Sequence, residues 1–249
     1  MSIIVVIPTY NEIENLPLMV DALLGLGIDA LSVLVVDDNS PDGTGKLADE
    51  IAKDDPRVSV LHRPEKQGLR PAYIAGFKKA LAMGAEYIIQ MDCDFSHQPK
   101  YIPQMLAAIK DHDVVIGSRY VKGGSVDESW HFLRKALSMW ANRIYTPAIL
   151  GLPVKDATAG FRVWTRETLQ RIDLDNIQSN GYIFQIEMSY VASLLGCRFV
   201  EVPIHFPDRA RGQSKMSLKI AAEATLRTWD LKWHYRSMPR QKNTVTEQS

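Results

Sequence analysis

Apolar positions alternate between two spacings through the first half of the chain. Short runs with little polar interruption, Ile3–Ile7, Val33–Val36, Val58–Leu61, Tyr87–Met91 and Val114–Ile116, read as strands buried on both faces. Between them lie stretches of helical spacing. Asn11–Leu24 places Leu16, Val20, Leu23 and Leu24 on one face and is stopped by Gly25 and Gly27; Thr44–Lys53, Ala72–Met83 (closed by Gly84) and Pro99–Lys110 follow. This β-α alternation predicts an α/β domain, a mostly parallel sheet with helices on both faces. The second half is less regular: helices over Phe132–Leu150, Ile183–Leu195 and Ser217–Tyr235, an extended Thr158–Trp164 and a strand over Phe199–Val202. No linker or repeat interrupts the pattern, so a single domain over 1–238 is expected, followed by a polar, disordered tail over 239–249.

Composition narrows the classes. A chain of 249 residues with 46% hydrophobic positions can bury a core, and a formal net charge of zero argues against nucleic acid as a partner. Two cysteines, Cys93 and Cys197, make no disulfide framework and fit a reducing compartment. No apolar run reaches the ~18 residues of a membrane span, and the N-terminus lacks the basic region of a signal peptide. Charge is nonetheless uneven. From Arg209 to Lys242 there are nine Lys/Arg against two acids, which reads as a solvated helix face or as a surface for anions or lipid headgroups.

Polar clusters follow four of the strands. They are Pro8-Thr9-Tyr10-Asn11-Glu12; the run from Asp37 and Asp38 through Ser40-Pro41-Asp42-Gly43-Thr44; Asp92-Cys93-Asp94; and Gly117-Ser118-Arg119-Tyr120. Parallel α/β sheets place ligands at such carboxyl edges. Asp-x-Asp offers hard oxygen ligands that suit Mg²⁺ or Mn²⁺ against substrate phosphates, with two solvated loop aspartates as the plainer alternative. The adjacent acids Asp37 and Asp38 repel one another unless a ligand or donor meets them.

In this order and spacing these clusters resemble the family 2 glycosyltransferases, and within them those that mannosylate a polyprenyl (dolichyl) phosphate. Later segments agree: Asp156-Ala-Thr-Ala-Gly-Phe-Arg162, Gly181-Tyr-x-Phe-Gln-Ile-Glu187, Val202-Pro203-Ile204 and Arg209-x-x-Gly-x-Ser-Lys215. The resemblance spans about Ile3 to Arg236. It implies a GT-A (nucleotide-diphospho-sugar transferase) fold, GDP-mannose as donor, Mg²⁺ or Mn²⁺ as cofactor, and a polyprenyl or dolichyl phosphate acceptor. Carried over by motif position, Pro8, Tyr10, Glu12, Asp38 and Asp92 hold the nucleotide. Asp92, Asp94 and Ser96 form the metal shell, with Asp94 the main ligand. Asp92, Asp94 and Arg119 are catalytic, and Arg119, Arg134, Arg209 and Lys215 contact the phosphates of donor or acceptor. It further implies a cytoplasmic protein held peripherally at the cytoplasmic face of a membrane, with room for a membrane-anchoring partner protein.

These roles make chemical sense. A departing nucleoside diphosphate accumulates negative charge, which a divalent cation neutralises. A phosphate monoester is already ionised, so it needs orientation more than a general base. Planar guanidinium groups grip phosphate bidentately. Alternatives with a sequence basis are glucosyl transfer from GDP- or UDP-glucose, a soluble transferase for a neutral acceptor, and a non-catalytic nucleotide-sugar-binding subunit. A dinucleotide binder is disfavoured because no Gly-x-Gly-x-x-Gly follows the first strand.

Other residues carry secondary expectations. Arg70, in Gln67-Gly68-Leu69-Arg70-Pro71-Ala72, stands where the family has glycine beside the donor pocket. Pro71 stiffens a helix start. Cys93 reads as a small buried thiol. His97 is expected to cap or pack, with metal or phosphate contact as the alternative. Trp130, Trp140 and Trp164 are expected in the core. Trp229 and Trp233, near Lys232 and Arg236, are expected to form an aromatic-basic face on a bilayer.

Overall fold

The computed structural model describes residues 2–130, 132–207 and 227–241, with the side chains of Leu133 and Arg134 excepted. In chain order the elements are β1 (Ile3–Thr9), α1 (Leu16–Leu24), β2 (Leu31–Asp37), α2 (Thr44–Asp54), β3 (Val58–His62), α3 (Leu69–Ala82), β4 (Tyr87–Gln90), α4 (Ile102–Ala108), β5 (Val114–Ser118) and β6 (Ser125–Val126). There follow α5 (Phe132–Trp140), α6 (Thr146–Leu150), β7 (Arg162–Thr165), α7 (Arg166–Arg171), α8 (Gly181–Leu194), β8 (Phe199–Pro203) and β9 (His205–Phe206). Seven strands form one sheet in the order β3-β2-β1-β4-β7-β5-β8. All of its pairings are parallel except those of β7, which runs antiparallel to both β4 and β5. Strands β6 and β9 pair separately.

Side-chain alternation sorts the strands between two cores. Ile3, Val5, Ile7, Val33 and Val35 face α1 and α4, whereas Ile4, Val6, Leu34 and Val36 face α3 and α8. Both faces are covered, which is why these strands read as unbroken apolar runs. Helix α3 lies so close to the sheet that a Cβ at Gly76 would stand 2.4 Å from Val6 Cγ1. Pro71 sits in the first turn of this helix, where a missing N–H costs nothing.

The structure departs from the sequence expectation in identifiable places. The first helix begins at Leu16 rather than Asn11, because Asn11 turns left-handed (φ 60°) and the following residues bond across to the next loop. There Glu12 N–H donates to Thr44 Oγ1 at 3.0 Å and Ile13 N–H to Asp42 Oδ2 at 3.3 Å. The stretch Phe132–Leu150 is continuous but contains a π-helical turn at Ala141–Tyr145. The extended Thr158–Trp164 is a loop followed by the antiparallel β7. Trp130 and Trp164 are buried as expected, but Trp140 is 45% exposed. Residues 227–234 are helical; the rest of the Ser217–Tyr235 helix lies outside the described residues. Arg240 and Gln241, at the start of the polar tail, are anchored: Arg240 Nη2 donates to Leu150 O at 2.8 Å and Gln241 N–H to Leu194 O at 2.8 Å. Residues 242–249 lie outside the described residues.

Candidate active site

The carboxyl ends of β1, β2 and β4 meet at one edge. Here the adjacent acids find their donors. Asp37 accepts from Thr9 Oγ1 at 3.1 Å, from Ser40 N–H at 3.0 Å and from Ser40 Oγ at 2.6 Å. Asp38 is buried and ion-paired with Arg63, which in turn bonds Gln67. Arg63 is a partner that sequence reading missed. Asp42 folds the turn by accepting from Thr44 N–H at 3.0 Å and Thr44 Oγ1 at 2.6 Å. Burial pushes its carboxyl up, but these bonds outweigh that and hold it below the usual range. Tyr10 and Glu12 flank this edge. Lys66 Nζ lies 3.5 Å from the Tyr10 ring centroid, and Glu12 Oε2 accepts from Asn15 at 2.7 Å. Pro8 pairs with Val36 in the sheet.

The Asp-x-Asp loop follows β4. Phe95 turns left-handed at φ 60°, a conformation that costs a bulky residue roughly 1–2 kcal/mol. This strained turn lets both Ser96 N–H and Ser96 Oγ reach Asp94 Oδ1, at 3.1 and 2.5 Å. Asp92 is held differently. Its Oδ1 accepts from Tyr73 Oη at 2.7 Å, and its own N–H donates to His97 Nδ1 at 2.9 Å. Burial, reinforced by Asp92, raises the Tyr73 hydroxyl well above its ordinary pKa, so it stays a donor. The second oxygen of Asp92 has no protein partner among the described residues. Burial likewise pushes the Cys93 thiol up and keeps it inert.

Across from this loop stands Arg119, at the end of β5. It grips Asp156 through Nε (2.8 Å) and Nη2 (2.6 Å), and its backbone N–H donates to the same carboxylate at 2.9 Å. Nη2 also reaches Thr158 Oγ1 at 2.8 Å. Burial alone would pull this guanidinium down, but Asp156 outweighs it and raises it further. Nη1 has no protein partner among the described residues. Asp156 is fully buried, and its N–H, with that of Lys155, is held by Glu201 at 3.0 and 2.8 Å.

Between the two walls lies a cavity of about 130 Å³, lined by Asp92, Ser96, His97, Arg119, Gly160, Tyr182 and Gln185 among others. Whole ligand sites run to ~300–1,000 Å³, so this is a subsite. Asp92, Ser96 and Arg119 thus come together. Pro8, Tyr10, Glu12 and Asp38 gather at the neighbouring β1–β2 edge. Asp94 stands behind Ser96. Arg209 and Lys215 lie outside the described residues, and so does the Arg134 side chain. Arg70 donates to Ile177 O at 2.6 Å, tying α3 to the segment before α8. His97 packs against Phe161, with ring centroids 5.3 Å apart, as well as bonding Asp92. Tyr73 carries no motif that marks a site role, and Asp156 and Gln185 fall in family segments that gave them no role of their own.

A doubly covered α/β sheet with acidic loops at one edge and a guarded arginine opposite defines a nucleotide-sugar transferase class of site. The chain belongs to Glycosyl transferase family 2, which it matches over residues 4–173, and it is a glycosyltransferase. It is 49% identical over 226 residues to an undecaprenyl-phosphate mannosyltransferase of Micrococcus luteus, covering 91% of this chain and 92% of that one. It is 48% identical over 216 residues to a polyprenol monophosphomannose synthase of Mycolicibacterium smegmatis, covering 86% and 80%. Among solved structures, mannosyl-3-phosphoglycerate synthase from Rubrobacter xylanophilus superposes with a TM-score of 0.66 at 16% identity, covering 99% and 78%. A mannosyltransferase from Pyrobaculum calidifontis in complex with GDP-Man and Mn²⁺ gives 0.60 at 18%, covering 93% and 64%. These two likenesses establish the GT-A fold.

Proposed function

We propose that this glycosyltransferase moves mannose from GDP-mannose to a polyprenyl phosphate, with inversion at the anomeric carbon. Near-half identity to two polyprenyl-phosphate mannosyltransferases over most of both chains supports the acceptor and the sugar. The observation that carries the chemistry is the hydrogen-bond polarity of the cavity. His97 Nδ1 accepts the Asp92 N–H, so in the neutral ring Nε2 bears the proton. The cavity's imidazole is therefore a donor and not a base. That suits an acceptor that arrives already anionic. Arg119, immobilised by Asp156, offers Nη1 to its phosphate, and Arg134, Arg209 and Lys215 are assigned to the same anions.

The residues present fit a divalent ion. Asp92 keeps one carboxylate oxygen unpartnered, and the Ser96 hydroxyl, which donates to Asp94, retains lone pairs beside the cavity. Among the described residues no group of three His, Cys, Asp or Glu could enclose a metal, and Mg²⁺ or Mn²⁺ bound against diphosphate needs few protein ligands. Asp92, Asp94 and Ser96 would hold it, where it would neutralise charge on the departing GDP. Pro8, Tyr10, Glu12 and Asp38 are assigned to the nucleoside.

The acceptor also calls for a membrane surface. No helix among the described residues is long and apolar enough to cross a bilayer. Trp229 and Trp233 are 53% and 70% exposed, and Arg236 lies 4.1 Å from the Trp233 ring centroid. Phe132, Trp140 and Ile144, spaced by eight and four residues, are also exposed. Aromatic rings beside cations suit headgroup depth and support peripheral association. Incubation with a panel of labelled sugar nucleotides and a short polyprenyl phosphate tests the reading. Label should enter the organic phase from GDP-mannose; transfer only from UDP- or GDP-glucose would replace the donor.

A further inference from the structure

A chain of three buried side chains sets the direction of one amide in the cavity. Trp164 is fully buried, and its indole N–H can only donate; it gives its hydrogen to Gln90 Oε1 at 3.1 Å. Gln90 must then present its Nε2 on the other side, and this donates to Gln185 Oε1 at 2.8 Å. Gln185 in turn is left with Nε2 as its remaining polar end. It is 3% exposed, it lines the cavity, and its Nε2 has no protein partner among the described residues. The orientation is thus dictated by a donor-only indole two hydrogen bonds away. Reversing Gln185 would set N–H against N–H at its contact with Gln90, and reversing Gln90 as well would set N–H against N–H at Trp164.

A second observation marks where that amide aims. Gly160 lies on the opposite lip, and a Cβ built there would stand 3.6 Å from Gln185 Nε2, 3.6 Å from His97 Nε2 and 3.1 Å from His97 Cε1. Gly160 thus lets the cavity wall close up against the Gln185 amide and the His97 ring, and the Gln185 amide sits beside the cavity that all three residues line.

We infer that Gln185 is a specificity-determining residue: its Nε2 donates to one hydroxyl oxygen of the transferred sugar beside Gly160. This rests on the glycosyl-transfer reading and adds to it the residues that recognise the sugar. A single amide donor on a cavity of about 130 Å³ suits one hydroxyl, whereas the Arg119 side of the cavity suits phosphate. A site built to hydrogen-bond a hydroxyl rejects the analogue that lacks it strongly, because its own donors are then left buried and unpaired.

The test is a series of singly deoxygenated sugar nucleotides, assayed by kcat/KM with wild type, Gln185→Met and Gly160→Ala. Methionine keeps length and removes the donor. Alanine pushes a methyl to 3.6 Å from Gln185 Nε2 and 3.1 Å from His97 Cε1, at a backbone conformation open to any residue. Wild type should discriminate at least tenfold against one deoxy position. In Gln185→Met that one penalty should fall to threefold or less while the others persist. Gly160→Ala should bind the nucleotide sugar at least tenfold more weakly, with affinity for the bare nucleoside diphosphate within twofold of wild type. If wild type uses another sugar nucleotide than GDP-mannose, the donor reading fails and the deoxy series of the sugar it does use decides Gln185. The inference is overturned if no single deoxy penalty collapses, if Gly160→Ala binds the nucleotide sugar like wild type, or if the losses appear instead in diphosphate affinity or acceptor KM.

Discussion

Replacing Asp156 by asparagine removes one charge beneath the cavity and changes almost nothing in shape. In the wild type, Asp156 is fully buried and Arg119 keeps only 9% of its side-chain surface in solvent. Removing one partner of a buried pair leaves the other charge uncompensated and costs about 3–5 kcal/mol. Here the cost belongs at that end, because the new amide would turn N–H toward a guanidinium that can only donate. For a domain of this size, each kcal/mol shifts the melting temperature by about 2–4 °C, so the loss should be roughly 6–20 °C. The control is the double variant Asp156→Asn with Arg119→Met. Deleting both charges removes the unpaired cation, so it should melt above the single variant. Thermal unfolding followed by circular dichroism at pH 7 measures both. A single variant that melts within about 2 °C of wild type, or a double variant that melts lower still, would refute the argument that Asp156 is what holds Arg119 in place. Because Arg119 loses its anchor, transfer in Asp156→Asn should fall even at temperatures where the protein remains folded.

Other consequences are as direct. Asp94→Asn should keep the fold and lose Mg²⁺- or Mn²⁺-dependent transfer by orders of magnitude; full activity in this variant, or in excess EDTA, contradicts the metal assignment. Tyr73→Phe leaves the ring stacked on Phe77 and Phe184 but strips Asp92 of a hydrogen bond to a charged group, which at about 1.5–3 kcal/mol predicts a roughly 10–100-fold drop in kcat with unaltered circular dichroism. Wild type should float with anionic liposomes at low salt and lose this after Trp233→Ala with Lys232→Glu and Arg236→Glu; equal flotation would mean the 227–236 face is not the contact. Asp42 has its folded pKa lowered, so its stabilisation is present above the unfolded carboxylate pKa and lost as pH falls through the folded value. The Tm gap between wild type and Asp42→Asn should therefore shrink from pH 5 toward pH 2, and a constant gap would show that the turn does not depend on that charge.

The β-α alternation of the first half was legible because each strand is covered on both faces, which leaves an unbroken apolar run with no competing period. Strand β7 was not, because its antiparallel entry between β4 and β5 depends on pairing partners 46 to 78 residues away, as the Ile116–Arg162 and Tyr87–Thr165 registers show. The acidic loops announced themselves through residue type and order. Their internal wiring did not. That Asp38 is met by Arg63, and Asp92 by Tyr73, follows from the fold bringing α3 and the β3–α3 loop to the same edge, which no local pattern encodes. The left-handed Phe95 is invisible in sequence because a phenylalanine gives no hint of positive φ. Trp140 was expected inside on the average behaviour of tryptophan, yet at the end of α5 it is 45% exposed and packs only against the Tyr145 ring among the described aromatic residues.

One transfer reaction is central: mannose from GDP-mannose to a polyprenyl phosphate. Incubating the full chain with GDP-mannose, Mg²⁺ and a short polyprenyl phosphate, then recording the acceptor's mass and the anomeric configuration of the product by NMR, tests it directly. The expected result is an acceptor heavier by one hexosyl group in β linkage, formed with release of GDP and abolished in Asp94→Asn. An acceptor of unchanged mass, a retained α linkage, or product formed equally well by Asp94→Asn would contradict it.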